Sequence, residues 1–251
     1  ILLVQAAIHA GEPVGKDAGL MLFRDIAING QYAKLLQNVS ILFIPIMNPD
    51  GHARFGPYNR INQNGPQQMG WRTNALNLNL NRDYLKLDTW EMQAFAKLWN
   101  DWQPDFFIDT HSTNGGDYQY TMTYMLETMG NMDPMITQWC LEGFIPSWYE
   151  YMELSGHPVF PYVTYRSWHD PKSGLVSRTS PPALSNGYAA TRNRPGLLLE
   201  AHMLKPYEMR VESTYHTILF VLKHLNEQGS ELRELILTAD HLNATTTWRK
   251  D

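Results

Sequence analysis

Cysteine is nearly missing from these 251 residues, with Cys140 alone. No internal disulfide can form, and no cysteine-ligated zinc site can be assembled. Long apolar runs are missing too: none approaches the roughly 20 residues that cross a bilayer, so no membrane span is expected. Charged residues are sparse at 18%, and the 20 Lys and Arg are scattered among 25 Asp and Glu, a net charge of -5. Without a basic stripe to neutralise phosphates, nucleic acid is not an expected partner. There is no glycine-rich phosphate loop and no nucleophile-elbow serine. Cys140 sits in an aromatic-rich helical stretch without a matched base, which argues against thiol catalysis.

What remains is the composition of a globular chain. Apolar residues make up 43% and the mean hydropathy is -0.37. The length fits one α/β domain, and no repeat or compositional break suggests a second. The opening Ile-Leu-Leu-Val-Gln-Ala-Ala-Ile has neither a basic leader nor a small-residue cleavage site. It reads as a core strand rather than a targeting peptide. A strand at the first residue raises the expectation of a fragment lacking upstream strands. The compartment and the oligomeric state are not legible.

Strand-length apolar runs alternate with stretches of helical period, the pattern of a mixed, mainly parallel sheet with helices on both faces. The spacing predicts strands at Leu2 to Ile8, Val39 to Met47, Asp105 to Thr110 and Gly196 to Ala201. It predicts helices at Val14 to Ile28 and Thr89 to Trp102, with Trp90, Trp99 and Trp102 in the core. Pro206 to Leu237 reads as a long closing helix broken near Gly229. Asp50 to Leu80, rich in Asn, Gln, Gly and Pro, reads as a long loop, and loops of that length in compact domains are usually functional. Arg166 to Asn186 is similarly irregular.

Three predicted strands end in chemically able side chains. His9 and Glu12 follow the first strand, three residues apart, where ligands bind in open α/β sheets. One imidazole and one carboxylate on a tight turn can share a zinc ion, although a surface turn would look the same in isolation. His111 ends the third strand and would complete the three-ligand, one-open-position set of a catalytic zinc. Glu200 ends the last strand, after Gly196-Leu197-Leu198-Leu199, where an unpaired carboxylate is costly. It suits proton transfer from an activated water to a leaving amine, or else an ion pair with Arg192 or Arg194. Arg72 and Arg82 lie in or beside the long loop, where ordinary solvation is the competing reading. A guanidinium with an Asn amide beside it matches a free carboxylate.

With those residues in order along the chain, the sequence resembles the zinc carboxypeptidase family. The resemblance rests on His9-Ala10-Gly11-Glu12, Asn48-Pro49-Asp50-Gly51, Gly70-Trp71-Arg72, Asn81-Arg82, His111-Ser112 and Glu200. It implies one zinc ion on His9, Glu12 and His111, and Glu200 as general base. It implies Arg72 at the scissile carbonyl, and Asn81 with Arg82 holding the terminal carboxylate of a peptide substrate. It also implies a tyrosine near the substrate, for which Tyr188 is the nearest candidate and Tyr165 the next. An exported location follows from the resemblance alone. Where many relatives carry an Asp to orient the first zinc-binding His, this chain has Asn79, which can still accept the imidazole N–H but adds no charge. Asn48-Pro49-Asp50-Gly51 reads as a turn that aims the long loop. His202, two residues after Glu200, shares its strand face and is a candidate to support it. His52, His157 and His169 have no spacing that adds to the site. Two other readings stay open: a zinc amidohydrolase that deacylates N-acyl amino acids, suggested by the Asp109-x-His111 spacing, and an inactive binding module on the same fold.

Overall fold

The computed structural model describes residues 1–167 and 170–246, so His169 lies outside the described residues. Six strands form one sheet: β1 (Leu2–Gln5), β2 (Ile41–Ile44), β3 (Phe106–Ser112), β4 (Met122–Met125), β5 (Val159–Pro161) and β8 (Gly196–Ala201). Their spatial order is β2-β1-β3-β8-β4-β5. The pairs β2–β1, β1–β3, β3–β8 and β4–β5 are parallel, and β4–β8 is antiparallel. A separate antiparallel ribbon, β6 (Thr164–Ser167) with β7 (Asp170–Val176), occupies part of the stretch that reads as irregular in sequence. The sheet is thus the mixed, mainly parallel one expected.

Apolar residues on successive positions of β1 and β3 feed two cores, one on each face, which is why these strands are continuously hydrophobic. Leu2, Val4, Phe106 and Ile108 pack on α1 (Val14–Ala27), α4 (Pro134–Trp139), α5 (Ile145–Leu154) and α7 (Tyr207–Thr245). Leu3 and Phe107 pack on α3 (Trp90–Trp102) and α6 (Ser185–Thr191) through Phe95, Trp99 and Ala189. The chain moves from β1 outward to β2 and then returns to β3 on the other side of β1. That switch opens a crevice beyond the carboxyl ends of β1 and β3.

Three expectations need correction. First, β1 stops at Gln5 because Ala7 adopts a positive φ of 54°, which turns the chain before His9. Second, only Trp99 of the three helix tryptophans is buried, while Trp90 is 86% exposed. Nine residues at about 100° each put Trp90 on the opposite side of the helix from Trp99. Third, α7 runs unbroken through Gly229 to Thr245. Its packing along the first core outweighs one glycine, whose cost is about 0.5–1 kcal/mol.

Helix α1 approaches the sheet closely through its glycines. A Cβ on Gly15 would lie 1.9 Å from Thr110 Oγ1, and that hydroxyl is itself committed to the Gln5 carbonyl at 3.1 Å. Gly15→Ala should therefore lower stability by about 1–3 kcal/mol through overpacking. In contrast, a Cβ on Gly229 meets nothing closer than Leu225 Cβ at 3.7 Å. Gly229→Ala should raise stability by about 0.5–1 kcal/mol. Urea midpoints of the two variants should move in opposite directions.

Candidate active site

The site is built where three parallel strands end side by side. In the β3–β8 register His111 pairs with Glu200, so these two residues are neighbours across the ladder. The turn after β1 brings His9 and Glu12 over the same edge, closed by a bond from Glu12 N to the His9 carbonyl at 2.9 Å. His9, Glu12 and His111 are all buried, and one ligand atom of each lies within 4.8 Å of the others. Among the described residues they form the one group able to hold a metal ion.

Each imidazole is oriented from behind. His9 Nε2 donates to Asn79 Oδ1 at 3.1 Å, and the same oxygen accepts from Asn81 N, which fixes the way the amide faces. His111 Nε2 donates to Asp109 Oδ2 at 2.8 Å, and Asp109 Oδ1 in turn accepts from Gln5, which also donates to Tyr84 Oη. With both Nε2 atoms engaged, both Nδ1 atoms face Glu12. His9 Nδ1 is 3.1 Å from Oε1 and His111 Nδ1 is 3.0 Å from Oε2. A ring whose distal nitrogen is tied down in this way presents the other nitrogen as a ligand.

Charge is concentrated here. Burial pushes the Glu12 carboxyl up, but His9, Arg60 and hydrogen bonds from both histidines together hold it well below the usual carboxylate range. Burial pushes His111 down, and Asp109 with Glu12 reverses this and holds it high. Glu200 is pushed up to about 7, mainly by burial and then by Glu12, against the opposing pull of His111. Its Oε2 is enclosed without a hydrogen-bond partner. A half-buried carboxyl with one oxygen enclosed and unpartnered beside that trio has the environment of a proton-transfer group.

One cavity of about 170 Å³ takes in His9, Glu12, Arg72, Asn81, Arg82, His111 and Glu200. The structure thus brings seven of the eight sequence-derived site residues together. Arg72 is 43% exposed, with Nη1 3.5 Å from Glu12 Oε1. Its backbone is placed by Asn48, whose amide donates to the Arg72 and Ile8 carbonyls while Oδ1 caps the short helix α2 (Pro49–Ala53). Gly51 allows the Trp71 carbonyl to pass where a Cβ would lie 2.4 Å away. Asn81 stands beside His111 Nε2 at 3.5 Å, and Arg82 is exposed at the cavity edge.

The eighth residue, Tyr188, is not brought to the site. It lies on α6, and its ring packs against Tyr84, Phe95 and Trp99 in the second core. The tyrosine that lines the cavity is Tyr162, one residue past β5. Burial and the nearby Glu200 raise its phenol, so it stays protonated. Tyr165 is not among the lining residues. His202 does not share the strand with Glu200, since β8 ends at Ala201; it accepts from Tyr118 N at 2.8 Å and is absent from the lining. Sequence reading also passed over Arg60. Its guanidinium pairs with Glu12, and no motif marks it. Cys140 is buried and its thiol is pushed up by burial, so it is inert.

Comparison with known proteins agrees with this geometry. The family model described as "Zinc carboxypeptidase" matches residues 1–135, more than half the chain. Carboxypeptidase 2 of Trichophyton rubrum is 28% identical over 171 residues, covering 64% of this chain and 29% of its own length. The chain therefore spans less than a third of the length of that relative. A metallo-carboxypeptidase from Burkholderia cenocepacia superposes with a TM-score of 0.65 at 18% identity, over 90% of this chain and 56% of its own. A metallo-carboxypeptidase from Pseudomonas aeruginosa, solved with (2-guanidinoethylmercapto)succinic acid, gives 0.61 at 19% identity, over 92% and 58%. Such distant structures speak for the fold, and the family match speaks for descent: this chain belongs to the zinc carboxypeptidase family.

Proposed function

We propose that the chain carries the hydrolytic centre of a metallocarboxypeptidase, removing a C-terminal residue from a peptide with a free carboxylate. The reading rests on one observation: the trio, a half-buried carboxyl with an unpartnered oxygen, and the side chains of Arg72, Asn81 and Arg82 all line one small cavity. Two imidazoles and a carboxylate are a donor set suited to catalytic zinc, and the ring nitrogens not facing the cavity are already committed. His9, Glu12 and His111 would hold the ion. When bound, it supplies Lewis acidity that acidifies water and polarises a carbonyl.

The chain's own residues supply the remaining parts. Asn81 and Arg82 present amide and guanidinium donors to the terminal carboxylate, setting the scissile bond at a fixed distance from the trio. Met125, Leu184 and Leu198 give the cavity an apolar wall for the departing residue. Glu200 takes a proton from the attacking water as the new C–O bond forms. It returns that proton to the amide nitrogen as the C–N bond breaks. Arg72, half exposed beside Glu12, offers a positive group to the developing oxyanion.

Glu200→Gln should lower the hydrolysis rate by about 10²–10⁴-fold, the scale of general acid–base catalysis, while elemental analysis shows unchanged zinc. An unaltered rate would remove Glu200 from its role. Peptides with free C-termini should be cleaved and their amidated counterparts spared. Equal cleavage of the two would sink the clamp, and preferential turnover of N-acyl amino acids would favour an amidohydrolase instead. Asp109→Asn, which keeps the shape behind His111 but removes the charge, should weaken zinc binding by about 10–100-fold in a chelator competition.

A further inference from the structure

The long loop between α2 and the short 3-10 turn Leu80–Arg82 delivers a second arginine that the reaction described above does not use. Arg60 is 13% exposed and does not line the cavity. Its Nη1 pairs with Glu12 Oε1, while Nη2 donates to the Ser112 and Thr113 carbonyls at 3.0 and 2.6 Å. One guanidinium thus joins the turn after β1 to the end of β3, the two segments that carry the metal ligands. Gly11 lets the loop lie against the turn, since a Cβ there would come within 3.0 Å of the Gly70 carbonyl.

The loop that carries Arg60 is fastened on every side. Gly56 and Met69 bond each other through both backbone pairs at 3.0 and 3.1 Å, and Asn59 donates to the Arg54 and Met69 carbonyls. Gly70 N and Gln63 Nε2 bond the carbonyls of Ala10 and Gly11, inside the His9–Glu12 turn itself. On the far side the fully buried Arg210 of α7 donates to the Asn64 and Gly65 carbonyls. Arg60 is held by this frame rather than by solvent.

The carboxylate of Glu12 has about four lone-pair positions. On Oε1, Arg60 takes one and the other faces His9 Nδ1; on Oε2, Ser112 N takes one at 2.9 Å and the other faces His111 Nδ1. The outward positions are filled by fixed donors, and the inward pair is left beside the two imidazoles. We infer that Arg60 is a positioning residue for the metal centre, which orients the Glu12 carboxylate and locks the β1 turn to β3 without touching substrate. This rests on the trio being a zinc site. A lysine could meet Glu12 but could not fork to both carbonyls, because an ammonium lacks the planar reach of a guanidinium.

The test is zinc affinity by chelator competition in the wild type, Arg60→Met and Arg60→Lys, with the visible spectrum of the cobalt-substituted proteins and KM at saturating zinc. Arg60→Met should bind zinc about 10–100-fold more weakly, the usual loss when a group behind a ligand is removed. Its cobalt spectrum should shift, and KM should stay within about twofold of wild type at full loading. Arg60→Lys should fall between the two, and it carries the test if the Met variant does not fold. Wild-type affinity in either variant would overturn the inference, as would a large rise in KM with zinc affinity intact. If the wild type itself binds no zinc, the reading of the trio fails instead, and Arg60 loses its proposed role with it.

Discussion

The site depends on keeping one negative charge, that of Glu12, ionised inside the protein. A lone carboxylate taken out of water is costly, and it survives only if its oxygens are met by donors and positive charge. Glu12 meets Arg60, His9, His111 and the Ser112 amide, with Arg72 at 3.5 Å. These partners come from the turn after β1, the end of β3 and the long loop. None of those segments can shift much without leaving the charge exposed to an apolar interior. The same carboxylate therefore specifies how the segments meet and forms the ligand edge of the cavity.

The fold contributes register and close approach. Parallel pairing of β1 with β3 and of β3 with β8 aligns three strand ends, so residues 9, 111 and 200 converge although the chain separates them widely. The glycines at 11, 51 and 70 then allow backbone from the loop to lie directly against the turn and against α2. Behind the ligands a buried polar chain runs from Tyr84 through Gln5 and Asp109 to His111. Each residue in it hydrogen-bonds the next, with Gln5 donating both ways through Nε2 while its Oε1 has no partner.

Much of this was legible in sequence because it is written in local pattern. The strands that carry ligands show as apolar runs ending in His or Glu, and their order along the chain resembles a known family. What the pattern misplaced has physical causes. Tyr188 is near Glu200 in sequence but sits on a helix whose ring-bearing face closes the second core, while Tyr162 reaches the cavity from just past β5. Trp90 follows an apolar spacing yet faces outward, since helical phase and not aromatic content decides burial. Gly229 looks like a break but is absorbed by a helix of 39 residues packed along most of one core. Arg60 carries no signal at all in the sequence: its role exists only because the loop is pinned at both sides, a tertiary fact with no local periodicity.

Exposure separates the arginines in a way that sequence could not. All three bring a guanidinium to the same neighbourhood, so residue type alone does not distinguish them. Arg60 is enclosed and its two terminal nitrogens are committed to Glu12 and to two carbonyls, so it has little left to offer an incoming molecule. Arg72 and Arg82 line the cavity and stay more exposed than Arg60, so in the proposed function theirs are the guanidinium groups open to a substrate's carboxylate or oxyanion. On the function proposed above, the enclosed guanidinium holds the frame and the accessible ones are those that would meet a substrate. In the proposed reading, a division of that kind would let the trio stay fixed while the more accessible side chains remain free to bind and release a peptide.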